Sequence, residues 1–262
     1  MTKQLQSEVA SAPTTSFAAR YNRIDKFTEE FAETLVKLSG ISHSTLEPLV
    51  VFDNACGTGA VSKVLAQTLD EEGWSFAEAM IIDAQDTRLP SGRYTHIFTA
   101  FAFNLFPDPK AALREYFRLL QTKGTLAISV WKKCNWFEIV KDALSFLPGN
   151  LPLPTQQDEI SSLHKKGWDS ESCIRGFLEE AGFKDVDAST TEKKSVLPLD
   201  EVADACQMIA PFVVSQFWTE EQRDQYAGMV PEAIKKHLAE KFGEGKPGFL
   251  EAQVIIAVAR KG

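Results

Sequence analysis

The chain has 262 residues, 44% of them hydrophobic and 24% charged, and its formal net charge at pH 7 is −8. This composition predicts a globular protein with a sizeable core. No run of lysine or arginine forms a basic stripe, which argues against nucleic acid and anionic membranes as partners. The apolar runs are too short to cross a bilayer and no secretory signal is visible, so we expect a cytoplasmic protein.

The cysteines and histidines show no metal or disulfide pattern. Cys56, Cys134, Cys173 and Cys206 are widely spaced and include no Cys-x-x-Cys pair, and the four histidines are equally scattered. Such spacing favours reduced thiols over disulfide bonds or zinc ligands. We therefore expect no metal site.

The N-terminal part of the chain predicts one helix ahead of the first strand. Residues 1–16 show no periodicity and are predicted to form a flexible lead. Residues 17–40 are predicted to form a helix that covers the site as a lid, because apolar side chains recur at helical spacing. These side chains are Phe17, Tyr21, Ile24, Phe27, Phe31, Leu35 and Leu38.

Apolar runs alternate with helical patterns through the middle of the chain. A helix follows Gly59, and another begins after Asp108, a capping residue followed by Pro109. Alternation of strands and helices predicts an α/β sandwich with a mainly parallel sheet, in a single domain over 1–262. The predicted strands of this part are 48–55, 77–84, 94–103 and 125–131.

The last third of the chain predicts helices inserted between two strands. A polar strand near 184–194 and a strongly apolar strand over 250–261 enclose two helical patterns. The second of these, near 219–241, opens with a capping box at Thr219. We predict a helical lid over 195–245.

The segment VVFDNACGTGAVS, residues 50–62, combines a strand, an acidic residue, a glycine turn and the start of a helix. Glycine at 57 and 59 lets the backbone approach a ligand closely, and the first N–H groups of a helix bind polar or anionic groups. A dinucleotide fold would have a third glycine where this chain has Ser62. The turn therefore favours another nucleotide-type cofactor over a nicotinamide.

The pattern D-x-A-C-G-T-G resembles motif I of class I S-adenosylmethionine-dependent methyltransferases, in which alanine often replaces the first glycine. The stretches IIDAQDTRLP and YTHIFTAFAFNLFPDPKAALREYFRLLQTKGTLAISVW are similar to later elements of that family. The resemblance implies a Rossmann-like sandwich with an antiparallel C-terminal strand, and S-adenosylmethionine as the cofactor. The cofactor contacts that it implies are Tyr21, Asp53, Asn54, Ala55, Cys56, Gly57, Gly59, Asp83, Ala84, Ala100 and Phe101.

Further stretches resemble one subgroup, the small fungal gliotoxin-type bis-thiomethyltransferases. These stretches are DNACGTGAVS, EEGW, LPGNLPLPTQ, LHKKGWDSES and FWTEEQR. The resemblance implies methylation of a thiol on a small apolar natural product of secondary metabolism, most simply a reduced cyclic dipeptide.

The chain departs from this family after its first helix. Only 23 residues separate Gly59 from Asp83, whereas helix, strand and helix with their loops need about 40 residues. A block is predicted to be missing after Asp70, with the strand whose carboxylate binds the cofactor ribose. Three explanations of the short spacing remain open. The deletion is natural, or it comes from a gene model or splice variant, or a segment is left out of the numbered sequence. Asp83 would replace the lost carboxylate if its strand moved beside the first strand.

Aromatic residues supply a candidate wall for an apolar substrate, although aromatic side chains at these spacings are more often plain core. His96 and His164 are the candidate bases, but a thiol ionises with little help and demands none. For both histidines a structural or solvent-facing role is the commoner alternative. The candidate pocket residues are Phe103, Phe106, Trp131, Trp136, Trp168 and Phe212.

Three functions remain open from the residues and the resemblance. The first is the thiol methyltransferase. The second is a methyltransferase-like protein that has lost cofactor binding with the missing block and serves as a remnant, a binder or a cyclase-type catalyst. The third is a nicotinamide-dependent oxidoreductase, which the absent third glycine disfavours.

Overall fold

The computed structural model describes residues 25–45, 47–69, 80–155 and 168–262. The predicted lead 1–16, Tyr21, the first residues of the 17–40 helix and His164 lie outside these ranges. So does the stretch just after the predicted break at Asp70. The described residues form a five-stranded sheet with helices on both faces.

The strands are β1 (Val51–Asn54), β2 (Tyr94–Ala100), β3 (Leu120–Cys134), β4 (Phe183–Leu197) and β5 (Gly248–Lys261), in the order β1-β2-β3-β5-β4. β1, β2 and β3 pair in parallel, whereas β5 runs antiparallel to both β3 and β4. Four strands therefore share one direction, and only the C-terminal strand is reversed. The predicted fold class is confirmed.

The helices are α1 (Asp25–Leu38), α2 (Ala60–Thr68), α3 (Pro109–Leu119), α4 (Asn135–Ser145), α5 (Glu171–Glu180), α6 (Leu199–Phe217), α7 (Glu220–Tyr226) and α8 (Val230–Phe242). Short 3-10 turns occupy Phe103–Leu105 and Ala227–Met229.

Alternate residues of the central strands divide the core into two layers, as the period of two in a strand requires. Phe98 and Ala127 face the layer that contains α1, α2, α4, α6 and α8. Ile97 and Ile128 face the opposite layer, with α3 and α5. We call these the α1 face and the α3 face of the sheet.

The predicted local signals at helix starts are confirmed. The Asp108 carboxylate accepts a hydrogen bond of 3.1 Å from the Ala111 N–H, with Pro109 as the first residue of α3. The Thr219 hydroxyl and the Gln222 side chain form the reciprocal capping box at α7. Each satisfies backbone donors that a helix start leaves open.

The predicted strand over 77–84 is wrong in its described part. Residues 80–82 form no strand, Asp83 makes only an isolated bridge to Asp86, and Ile81 is fully exposed. A run of β-formers becomes a strand only beside a partner that takes its hydrogen bonds. Among the described residues β1 ends the sheet, and Asp83 does not stand beside it.

The helices between β4 and β5 pack mainly on α4, which the sequence patterns did not predict. Buried Val140 and Leu144 of α4 share the α1-face core with Ile234 and Leu238 of α8. α6 extends further than predicted, and a 3-10 turn divides the predicted 219–241 helix. That these helices act as a lid over 195–245 stays a prediction.

Candidate active site

The glycine turn after β1 has a backbone that few residue types adopt. The φ angles are +52° at Ala55, +54° at Gly57 and +83° at Gly59. Glycine takes this region freely, but alanine does so at a cost of about 1 kcal/mol. Gly59 is the N-cap of α2 and, having no side chain, bonds to none of the first N–H groups of the helix; of these, the Ser62 N–H bonds to Asp53. Backbone N–H groups at this end are therefore available to a ligand.

An enclosed niche of about 30 Å³ lies between this turn and α1. That volume accommodates one small group, such as a water, an ammonium or a methyl group. Its lining is Thr28, Ala32, Asp53, Ala55, Cys56, Gly57, Thr58, Ala60, Val61, Ala100 and Phe101.

Asp53 is the acidic group of this niche. Its carboxylate accepts a hydrogen bond of 2.7 Å from the Ser62 hydroxyl. Burial raises the pKa of Asp53 to about 6, against the opposing effect of the bonds from Ser62. A buried carboxylate without a cation is destabilised in its charged form. The niche is therefore suited to a positively charged group.

Phe101 joins the niche to an aromatic wall. Its φ of +57° is rare for a bulky residue, and its N–H donates a 2.9 Å hydrogen bond to the Ser129 carbonyl. Its ring stacks on Trp131 with centroids 3.9 Å apart, and the Phe31 ring meets it edge-on at 5.9 Å. Strained backbone of this kind clusters at functional sites.

The wall continues from Trp131 along α1 and α4. Trp136 meets Trp131 edge-on at 4.9 Å, and Phe27 contacts both indoles at 6.3 and 5.8 Å. Five aromatic rings from four segments of the chain thus lie together on the α1 face. Four of these rings are buried, so Trp131, which is partly exposed, supplies the accessible part of this wall.

The structure does not bring the other predicted pocket residues to this wall. Phe103 packs against Trp168 and Phe106 at centroid distances of 4.9 and 5.5 Å. Phe103 and Trp168 belong to the core of the α3 face, and Phe106 packs against that core. Phe212 lies on α6 and is 39% exposed. The predicted set is therefore divided between two sides of the sheet.

His96 lies near the beginning of β2, four residues before Ala100 and about 13 Å from it along the strand. Its ring stacks on Phe98 and its Nδ1 lies 3.1 Å from the Thr95 hydroxyl. Burial lowers the pKa of His96 to about 4, with a further lowering by Arg260. The structure thus places it away from the niche, as a half-buried histidine of the sheet.

Three of the predicted cofactor residues lie outside the lining of the niche. The Asn54 amide donates to the Tyr116 hydroxyl, on the α3 face. Asp83 accepts a 2.9 Å hydrogen bond from the Gln85 N–H, and Ala84 follows it in the same turn. This turn is anchored by Gln85, whose side chain accepts from the Asp108 N–H at 2.6 Å.

The sequence predicted a helix over 17–40 as a lid on the site, but not which of its residues line the niche. Thr28 and Ala32 line it, while Asp25 at the start of α1 contacts Thr58 and Lys63. The spacing of Thr28 and Ala32, one turn apart beside Phe27 and Phe31, was visible in the sequence. What the sequence lacked was any indication that these two small residues, and not the aromatic ones, line the niche.

Sheet order, the reversed C-terminal strand and the glycine turn at the carboxyl end of β1 together define the fold class of class I methyltransferases. A family model described as a methyltransferase domain matches residues 52–128. A solved structure of a type II methyltransferase-type protein from Anaeromyxobacter dehalogenans is similar, with a TM-score of 0.55 at 16% identity. That similarity covers 88% of this chain and 96% of the other.

Two curated fungal proteins are similar over most of the chain. Methyltransferase tpcH of Aspergillus fumigatus is 45% identical over 273 residues, which cover 94% of this chain and 96% of that protein. The acetylaranotin bis-thiomethyltransferase of Aspergillus terreus is 38% identical over 272 residues, which cover 94% of each. The chain belongs to this family of fungal methyltransferases. It is an S-adenosylmethionine-dependent methyltransferase.

The aligned spans also reveal a difference in length. Because 94% of the 262 residues is about 246, the spans of 273 and 272 residues contain about 26 positions without a counterpart in this chain. One strand and one helix with their loops need about that many residues. In number, these positions match the block that the spacing from Gly59 to Asp83 predicts to be missing.

The residues present fit one half of the cofactor. Asp53 and the turn from Ala55 to Gly59 suit the methionine half, because they join a buried carboxylate to free backbone N–H groups. For the ribose, the described residues provide no strand beside β1 that ends in a carboxylate. The described residues therefore supply contacts for the methionine half of the cofactor but no carboxylate for its ribose.

No helix among the described residues is both long and apolar enough to cross a lipid bilayer. Within the same residues no cluster of histidine, cysteine and acidic side chains is arranged to hold a metal ion.

Proposed function

We propose that this methyltransferase methylates a thiol of a small apolar natural product in fungal secondary metabolism, most simply a reduced cyclic dipeptide. The similarity to the Aspergillus terreus relative, a bis-thiomethyltransferase, supports the thiol. The observation that carries the proposal is the aromatic wall, which ends at the niche through Phe101 and Trp131. A net charge of −8 and the lack of a basic stripe support a small substrate in the cytoplasm over nucleic acid or membrane.

The chemistry asks little of the protein beyond binding and orientation. When bound, S-adenosylmethionine would supply an electrophilic methyl group on a sulfonium to a substrate thiolate and would leave as the neutral thioether S-adenosylhomocysteine. A thiol has a reference pKa near 8.5 and needs no strong base at neutral pH. The described residues bring no histidine to the niche, which favours a thiol over an alcohol.

Each part of the site has a distinct role in this scheme. Asp53 and the glycine turn hold the methionine half of the cofactor, with the carboxylate beside its ammonium group. Trp131 and Phe101 orient the flat acceptor and exclude water from it. Holding the two reactants in this way supplies most of the rate acceleration expected for a displacement.

A substrate screen tests the proposal. The purified chain is incubated with S-adenosylmethionine and the dithiol of a reduced epidithiodiketopiperazine, and products are identified by mass spectrometry. The matched control is the same ring system carrying hydroxyl groups in place of the thiols. Methyl transfer to sulfur with no transfer to oxygen supports the proposal. Transfer to the alcohol alone contradicts it.

A second candidate is a chain that has kept the fold and lost cofactor binding. Three observations favour this candidate. Ile81 is exposed, β1 ends the sheet among the described residues, and the chain is shorter than the aligned span of its relative. Two ribose hydroxyls without an ionised acceptor would lose about 1.5–3 kcal/mol each. Isothermal titration with S-adenosylhomocysteine separates the candidates: micromolar binding supports the enzyme, and no binding at millimolar ligand supports the second candidate.

A further inference from the structure

Acidic residues at the start of α1 are bonded directly to the cofactor turn. The Asp25 carboxylate, 7% exposed, accepts from the Thr58 hydroxyl and pairs with the Lys63 ammonium group. The same ammonium group lies 3.0 Å from the Glu29 carboxylate, one helical turn further along α1. Two carboxylates thus converge on Lys63, and one of them, that of Asp25, also bonds to Thr58.

Both partners belong to the segment that forms the niche. Thr58 stands between Gly57 and Gly59, whose φ angles are positive, and Lys63 lies in the first turn of α2. On the other side, the Thr28 hydroxyl donates a 2.8 Å hydrogen bond to the Asp25 carbonyl. Because Thr28 lines the niche as well, Asp25 connects its two walls.

We infer that Asp25 is a positioning residue for the cofactor-binding turn, acting through Thr58 and Lys63. The inference rests on the cofactor site of the proposed function and is independent of the acceptor.

The physical reason is the poor intrinsic stability of the turn. Its conformation from Ala55 to Gly59 has three residues of positive φ, and two are glycines, which lose the most backbone freedom on ordering. A buried carboxylate that joins a hydroxyl and an ammonium group opposes that freedom, since charge-assisted bonds are the stronger ones. Preorganisation of this kind raises ligand affinity by removing the cost of ordering.

Calorimetry of S-adenosylhomocysteine binding tests the inference directly. We expect Asp25→Asn to raise the dissociation constant about tenfold. Glu33→Gln is the matched control, because it removes the same charge from an exposed position of the same helix, and it should bind as the unmodified chain does. Lys63→Met is the second variant, since its exposed side chain can be replaced with little risk to folding; it should weaken binding similarly.

Alkylation of Cys56 provides a readout without cofactor. Cys56 is an exposed thiol within the turn, Cys173 is exposed elsewhere, and Cys134 and Cys206 are buried. In a Cys173→Ser background, iodoacetamide therefore reports on the turn. We expect Asp25→Asn to accelerate the reaction about threefold or more, because a turn released from α1 exposes the thiol further. Glu33→Gln should leave the rate unchanged.

The two readouts give decisive outcomes. Weaker S-adenosylhomocysteine binding together with faster alkylation for Asp25→Asn supports the inference. Equal affinities and equal alkylation rates for Asp25→Asn and Glu33→Gln would overturn the inference. Tighter binding by Asp25→Asn would also overturn it, because the contact of α1 with the turn would then oppose binding of the cofactor. If the unmodified chain fails to bind, the cofactor part of the proposed function fails, while alkylation still decides the role of Asp25 in the turn.

Discussion

The rings of Phe101 and Trp131 lie 3.9 Å apart between centroids and within 14° of parallel. The two residues come from adjacent parallel strands, at the carboxyl ends of β2 and β3. In an open α/β sheet this edge is where ligands bind. The pair therefore joins a positive-φ residue that lines the niche to an indole that is partly exposed.

Replacing Trp131 tests that relationship. We expect Trp131→Ala to lower the free energy of unfolding by about 2–4 kcal/mol, because its indole packs on four other rings. The KM of the acceptor should rise more than that of the cofactor. Trp131→Phe keeps a flat ring and should lose less than half of that stability. Urea denaturation and initial-rate kinetics measure the two effects, and an unchanged acceptor KM in Trp131→Ala would contradict the role of the wall.

Replacing Asp53 should raise the stability of the fold and weaken binding of the cofactor product. Because the folded pKa is raised from 3.8 to about 6, Asp53 costs no stability below pH 3.8, and its cost grows as pH rises to about 6 and stays constant above that. Asp53→Asn should remove this cost and gain about 2 kcal/mol of stability at pH 7.5 relative to the unmodified chain. The same variant should bind S-adenosylhomocysteine at least tenfold more weakly.

The measurement for Asp53 is the difference in unfolding free energy between the two proteins from pH 4 to pH 8. Other titrating groups cancel in that difference. A difference that does not change with pH would show that the Asp53 carboxylate is not destabilised in the folded protein.

The glycine turn gives a pair of opposite predictions. Ala55→Gly should stabilise the fold by about 0.5–1 kcal/mol, because glycine relieves the strain at φ +52°. The greater freedom of glycine in the unfolded chain offsets only part of this gain. Gly59→Ala should destabilise it by about 1 kcal/mol, since φ is +83° there. Chemical denaturation measures both. Equal signs for the two variants would contradict the described backbone of the turn.

Glu115 provides a pH-dependent test of the segment that precedes β2. Its carboxylate accepts from the Thr87 N–H at 3.0 Å and from Arg118 at 2.6 and 2.8 Å. The pKa of Glu115 is lowered to about 2. The hydrogen bonds from Arg118 make the largest contribution to this lowering, and burial opposes it. The stabilisation is therefore present above pH 4.5 and is lost as pH falls towards 2. Glu115→Gln should cost about 1–2 kcal/mol at pH 7 and almost nothing near pH 2.

Urea denaturation of Glu115→Gln at the two pH values checks this prediction. Arg114→Gln is a suitable control, because Arg114 lies on the same helix and contacts Asp108 at 3.7 Å on the exposed surface. A cost that is the same at both pH values would assign the effect to packing instead of charge.

The sequence alone determined the features that depend on a few neighbouring residues. The cap at Asp108, the capping box at Thr219 and the glycine turn at 57–59 are all where their motifs predict. The alternation of apolar runs likewise predicted β1, β2, β3 and β5. Helix α4 has the same kind of signal, since Trp136, Val140 and Leu144 recur at helical spacing. This spacing predicts the helix as well, although it is not among the elements predicted above.

Only the tertiary structure decided which of these elements meet. It placed Phe101 with Trp131 but Phe103 with Trp168 on the other face of the sheet. It left Ile81 outside the sheet, and it joined Asp25 to Lys63 across 38 positions of the chain. Caps and periodicity arise from hydrogen bonds and side-chain directions within one or two turns, so they can be read locally. Strand partners and ion pairs depend on residues distant in the chain, which meet only when the whole sheet and its helices have packed.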